Sequence, residues 1–197
     1  MKLNLGCGPD IKDGYTNVDF RSLPGVDVVS DLSKFPWQFK DESASEILML
    51  DFLEHFPYRD TEKIIHEAWR ILEKDGQLIV QVPDLEHCMR AASFRPPFLC
   101  NRCGWEFPEV DFRADFFICL KCKQPWYDCA TAAVHRMYGG QDYPGNFHLT
   151  GFSKLYLREM FQRNGFEPVE DMEKEHQYIN WNFKFRFKKV ENLWGSQ

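Results

Sequence analysis

The segment Leu3-Asn4-Leu5-Gly6-Cys7-Gly8-Pro9-Asp10 restricts the fold of this chain more than any other. A short apolar run ends in two glycines one residue apart. That is the pattern of a buried strand feeding a tight loop in which backbone approaches a ligand closely. A second run, Thr16-Asn17-Val18-Asp19, ends in an acid. At the tip of the next strand of an α/β domain, such an acid can accept hydrogen bonds from both hydroxyls of a ribose. Taken alone, two glycines describe only a turn that needs positive φ. The segments that follow supply the rest.

Strands are expected over 2–5, 16–20, 26–30, 46–50 and 77–82, with turns or helices between them. That alternation predicts an α/β domain with a mainly parallel sheet. The clearest helix is expected over 60–74, starting near Asp60. Ile64, Ile65, Ala68, Trp69 and Leu72 share one face, and Gly76 is its stop. A second helix has Ser153 as N-cap, buries Leu157, Met160 and Phe161, and ends at Gly165. Trp181, Phe183, Phe185 and Phe187 alternate with Asn182, Lys184, Arg186 and Lys188, as in a strand with one wet face. It is expected to pair with 166–171 as an antiparallel edge.

Leu-Asn-Leu-Gly-Cys-Gly resembles the first motif of class I S-adenosylmethionine-dependent methyltransferases, which usually read Leu-Asp-Leu-Gly-Cys-Gly there. Val28-Val29-Ser30-Asp31-Leu32 is similar to the family's third strand, where an acid and the next backbone amide read the adenine edge. The run from Ser45 to Phe56 is similar to its fourth strand and the Leu-Glu-His that often follows, here Leu53-Glu54-His55. Gly76 to Pro83 is similar to its fifth strand, and a reversed last strand also resembles the family. The likeness spans 3–83 and resumes over 138–187. It implies a Rossmann-like methyltransferase fold with S-adenosylmethionine as cofactor. The cofactor residues would be Gly6, Cys7, Gly8, Asp19, Phe20, Asp31, Leu32 and Asp51. Two features depart from the family: Asn4 replaces the usual acid of the first strand, and the third glycine is missing. Only about ten residues separate Gly8 from Asp19, too few for a crossover helix with its turns, so a loop is expected there. The glycine spacing also falls short of the Gly-x-Gly-x-x-Gly of nicotinamide dehydrogenases.

Between Phe94 and about Trp126 the pattern breaks, with Pro96-Pro97 ending the preceding helix. Cys100-Asn-Arg-Cys103 and Cys119-Leu-Lys-Cys122 are two C-x2-C pairs with fifteen residues between them. Four thiolates at this spacing suit one tetrahedral metal site, with zinc favoured and iron the runner-up. The chain then divides into a domain of 1–95 and 130–197 and an inserted zinc-ribbon-like segment of 96–129. Such a closed site folds a small segment and leaves no open position for chemistry. The ribbon either staples the structure or, together with the 138–148 loop, forms the acceptor side of the active site. Cys7, Cys88 and Cys129 stand outside the metal set. Cys7 contributes backbone to its loop, and the other two read as small core residues.

No run of 18 apolar residues exists, so no membrane span is expected. The immediate entry into a strand leaves no room for a signal peptide, which gives a cytoplasmic location by default. A net charge of −6 argues against broad nucleic-acid binding. The one basic cluster, Lys184, Arg186, Lys188 and Lys189, reads as the solvated face of a strand. Methyl transfer to an alcohol or amine needs a base. Asp51, Glu54, His55 and the 138–148 segment fall at the carboxyl ends of the strands, with His55 and His148 as candidate catalytic bases. The favoured acceptor is a small molecule, sugar or lipid-linked glycan. The alternatives are a protein or nucleic acid gripped by the ribbon, or a non-catalytic cofactor-binding or interaction protein.

Overall fold

The computed structural model describes residues 1–93, 98–99, 106–107, 117–118, 121, 125–126, 129–172 and 181–190. The amino-terminal half alternates short apolar strands with turns: β1 (Lys2–Leu5), β2 (Thr16–Asp19), β3 (Val28–Val29) and β4 (Ala44–Leu50). Then come α1 (Tyr58–Ile71), β5 (Leu72–Pro83) and α2 (Leu85–Ser93). Four two-residue strands follow, β6 (Phe98–Leu99), β7 (Glu106–Phe107), β8 (Phe117–Ile118) and β9 (Pro125–Trp126). They pair as two small antiparallel ladders, β6 with β7 and β8 with β9. The chain closes with α3 (Cys129–Tyr138), α4 (Lys154–Arg163), β10 (Phe166–Asp171) and β11 (Asn182–Lys189).

Seven strands form the main sheet in the order β10-β11-β5-β4-β1-β2-β3. β3, β2, β1, β4 and β5 run parallel to one another, while β11 is antiparallel to both β5 and β10. The order reverses beside β1, which leads out to β2 on one side and β4 on the other. Ligands of open α/β sheets bind beyond the carboxyl ends of the strands at such a point. One apolar cluster joins the sheet to the inner faces of α1 and α4, with Leu3, Leu5, Ile47, Met49, Ile64, Ala68, Leu157 and Phe161 among its members. Phe183, Phe185 and Phe187 are buried, while Lys184, Arg186 and Lys188 are half-buried, so the expected alternation holds. A smaller cluster of Cys88, Ala133 and Trp181 joins α2 to α3.

Several boundaries differ from expectation. α1 ends at Ile71, three residues early, because Leu72 turns to extended backbone and pairs with Ala44 at the start of a longer β5. A residue of positive φ, Asp75, then lies beside Gly76 within that strand. The third strand shrinks to two residues. Ser153 caps α4 as expected, accepting from the Tyr156 amide at 3.2 Å, and Gly165 follows at φ +80°. No helix lies between β1 and β2. The basic cluster is largely spent inside the fold: Lys188 pairs with Asp75 at 2.8 Å and Arg186 with Glu170 at 3.7 Å. Lys189 is buried, donating to the Leu72 carbonyl at 2.6 Å.

Candidate active site at the strand ends

Gly6 and Gly8 both have positive φ, +66° and +51°. A Cβ on Gly6 would overlap the Phe52 ring, so only glycine fits between β1 and the turn that follows β4. Buried Asn4 holds the loop from inside, donating to the Asp10 carbonyl at 2.9 Å and to Asn17 Oδ1 at 3.0 Å. Asn17 Oδ1 also accepts the Lys12 amide at 2.9 Å. A pair of asparagines thus secures the ten-residue loop that stands where a crossover helix was excluded. Cys7 gives its amide to the Val18 carbonyl at 3.0 Å, and burial pushes its thiol up to about 11.

Asp19 is 3% exposed, and its carboxylate accepts three donors of its own chain. Oδ2 takes the Gly8 amide at 2.8 Å, and Oδ1 takes the Arg21 amide at 2.8 Å and Arg21 Nε at 3.1 Å. The Arg21 guanidinium lies over the Tyr143 ring, 4.3 Å from its centroid, which ties the 138–148 loop to the tip of β2.

A cavity of about 400 Å³ opens over these groups, lined by Gly6, Cys7, Gly8, Asp19, Phe20 and Asp51 among others. A second, of about 230 Å³, is lined by Asp31 and Leu32 and shares Phe20, Phe52, His55, Phe56 and Gly145 with the first. All eight residues expected at the cofactor therefore line one region of the surface, two cavities that share five wall residues. Their size suits a nucleoside-sized ligand. A carboxylate offers about four lone-pair positions, so Asp19 keeps about one for a ribose hydroxyl. The Ser33 hydroxyl, bonded to Asp31 at 2.6 Å, holds the Asp31 carboxyl below the usual range. These groups fit a nucleoside cofactor.

After β4 the chain turns sharply at Asp51, φ +50°. The Asp51 carboxylate is held by Gln81 Nε2 at 2.9 Å and by Asn182. A short 3-10 turn, Leu53–His55, then carries Glu54 inward and His55 to the cavity wall. His148 arrives from the 138–148 loop, its ring edge-on to His55 with centroids 5.0 Å apart. Each imidazole is fixed by a backbone carbonyl at Nδ1: Phe147 for His55 at 3.2 Å and Arg136 for His148 at 2.7 Å. A carbonyl only accepts, so both Nδ1 carry hydrogen and both Nε2 present a lone pair. Burial lowers the pKa of both rings. Glu54 is 1% exposed, and burial, with Asp51 next, raises its carboxyl well above the usual range.

Residues 3–80 match the family described as a methyltransferase domain. Gly6, Gly8, Asp19, Asp31, Asp51 and His55 lie within the matched residues. A 1,6-didemethyltoxoflavin-N1-methyltransferase of Burkholderia thailandensis, with 1,6-didemethyltoxoflavin and S-adenosylhomocysteine bound, superposes with TM-score 0.50 at 12% identity. The match covers 96% of this chain and 71% of that one. An S-adenosylmethionine-dependent methyltransferase of Clostridium acetobutylicum superposes with TM-score 0.53 at 11% identity, over 96% of this chain and 83% of that one. One from Archaeoglobus fulgidus gives 0.51 at 12%, over 95% and 85%. No curated protein sequence matches the chain. The superpositions show a fold shared with S-adenosylmethionine-dependent methyltransferases.

Sequence reasoning did not find Arg21 or Gln81, and it marked Tyr143 only as part of the 138–148 segment. Arg21 neighbours the expected acid, but its stacking partner Tyr143 comes from a distant loop. The expected metal ligands, Cys100, Cys103, Cys119 and Cys122, lie outside the described residues, as does the side chain of Cys129. No helix among the described residues is long and apolar enough to cross a membrane.

Proposed function

We propose that the protein methylates an oxygen or nitrogen of a small molecule, sugar or glycan. The observation that carries this reading is that all eight expected cofactor residues line two cavities that share five wall residues, His55 among these five. When bound, S-adenosylmethionine supplies an electrophilic methyl group on a sulfonium sulfur. Gly6 and Gly8 keep side chains out of the space their backbone approaches. Asp19 accepts a ribose hydroxyl, and Asp31 with the Leu32 amide faces the adenine side. The chain's main contribution is alignment and exclusion of water. His55 and His148 are positioned to take the acceptor's proton at Nε2. The Burkholderia neighbour, a 1,6-didemethyltoxoflavin-N1-methyltransferase with 1,6-didemethyltoxoflavin bound, supports a small-molecule acceptor.

In the same reading Cys100, Cys103, Cys119 and Cys122 hold one zinc ion in an insert of 96–129 within a domain of 1–95 and 130–197. Two short antiparallel ladders support it, because each C-x2-C pair falls in the stretch between two paired strands. The reduced thiols such a site needs fit a cytoplasmic location.

Calorimetry with S-adenosylhomocysteine tests the central claim. Asp19→Ala removes a charge-assisted acceptor, each such bond being worth about 1.5–3 kcal/mol. Affinity is expected to fall at least about tenfold. Equal affinity of the two proteins would overturn the placement of Asp19.

A further inference from the structure

Among the described residues, Glu54, His55 and His148 form the one cluster of three His, Cys, Asp or Glu side chains close enough to hold a metal ion. Each offers one ligand atom, and these atoms lie within 4.8 Å of one another. Both Glu54 carboxylate oxygens are buried without a hydrogen-bond partner among the described residues. Protonation does not relieve this, since the resulting hydroxyl has no acceptor and the other oxygen has no donor. A buried polar group without a partner is costly and calls for an explanation, commonly an ion or water. The two imidazoles supply a second, independent sign. Their Nδ1–H groups are spent on the Phe147 and Arg136 carbonyls. Metal-bound histidines are typically oriented in this way, by a carbonyl or carboxylate on the other nitrogen.

We propose that Glu54, His55 and His148 bind one divalent transition-metal ion, and that this ion takes the oxygen of an acceptor hydroxyl as a further ligand. The donor set is two imidazoles and one carboxylate, which suits manganese, iron or zinc and keeps positions open. His55 belongs both to this cluster and to the cavity wall, so the ion sits beside the cofactor space. A hydroxyl bound to such an ion would give up its proton to solvent water more readily than a free one, the oxygen keeping the electron pair. The two histidines then serve as ligands, and the acceptor class narrows from oxygen or nitrogen to a hydroxyl. This inference rests on the methyltransferase reading above.

The test is a titration of the full chain with Mn2+, followed by the loss of the free-ion electron paramagnetic resonance signal. Thiolates are poor ligands for Mn2+, so the cysteine pairs do not compete. One ion per chain is expected. Glu54→Gln and His148→Ala should each weaken it at least about tenfold, since even outer-shell losses cost that much. The bound ion should also enhance water-proton relaxation, as an open coordination position requires. Calorimetry with S-adenosylhomocysteine runs beside each titration, as a check of folding and of the methyltransferase reading. Normal cofactor binding with no stoichiometric Mn2+, or with Mn2+ binding unchanged in both variants, overturns the metal site alone. Binding without relaxation enhancement overturns the acceptor role. Loss of cofactor affinity in the wild-type chain defeats the underlying reading instead.

Discussion

Asp19 and Glu54 are both buried carboxylates beside the same cavity, exposed by 3% and 1%. Asp19 accepts three hydrogen bonds from its own chain, whereas Glu54 accepts none at its carboxylate among the described residues. On the β1–β2 wall, short turns and an asparagine pair complete the polar accounting before any ligand arrives. On the wall after β4, a 3-10 turn and a distant loop bring three ligand atoms together and leave them unspent. The first wall is preorganised for a ligand that needs backbone approach. The second leaves its buried carboxylate without a partner among the described residues. The difference lies in which groups were given partners, since burial is the same.

The strongest way to break this contrast is Gly6→Ala. Left-handed backbone at a non-glycine residue costs about 1–3 kcal/mol, and overlap with Phe52 adds about 1–3 kcal/mol. Thermal unfolding should shift down by several degrees, with loss of S-adenosylhomocysteine binding. A normal Tm would mean the loop relaxes freely and is not preorganised.

The Rossmann-like half was legible because buried parallel strands read as apolar runs and α1 has a clear apolar stripe. The end of α1 was not, because Leu72 is claimed by pairing with Ala44 across the sheet, a tertiary demand that no local signal carries. α3 was missed: its Cys-Ala-Thr-Ala-Ala start carries neither a strong cap nor a wide apolar face. The glycine loop and Asp19 announced themselves by spacing. The Glu54 cluster did not, because His148 lies far along the chain and only the fold brings it to His55.

Glu54→Met sharpens the comparison from the other wall. Replacing a partnerless buried carboxylate with an apolar chain of similar length should stabilise the metal-free protein by about 1–3 kcal/mol, read from urea unfolding. The comparable change at Asp19 should destabilise. If Glu54→Met also destabilises, the carboxylate has a partner and the two walls are alike.

The smallest effect sets the scale away from the cavity. Glu67 accepts Arg70 Nη2 and the Trp37 amide, both at 2.7 Å, and joins α1 to the segment before β4. The Arg70 bond holds its carboxyl below the ordinary 4.5. A depressed carboxylate stabilises at pH above that ordinary value, and the gain vanishes as pH falls through the lower folded value. Glu67→Gln should therefore cost no more than about 1 kcal/mol at pH 7, because the pair is partly solvated. It should cost nothing near pH 2. A penalty independent of pH would assign the role of Glu67 to packing.

The place of β11 has a consequence for how the molecule is made. Its eight residues sit between β5 and β10, so Leu78, Val80 and Val82 in β5 gain a strand on their second side only when Asn182–Lys189 dock. During synthesis, β1 through β5 emerge first, with one long side of β5 bare. The cofactor loop can take shape then, but the sheet cannot be sealed. Until residues 182–189 leave the ribosome, β5 is an open template for any passing strand. The nascent chain thus passes through a stage in which its ligand-binding half is formed and its most adhesive edge is still exposed.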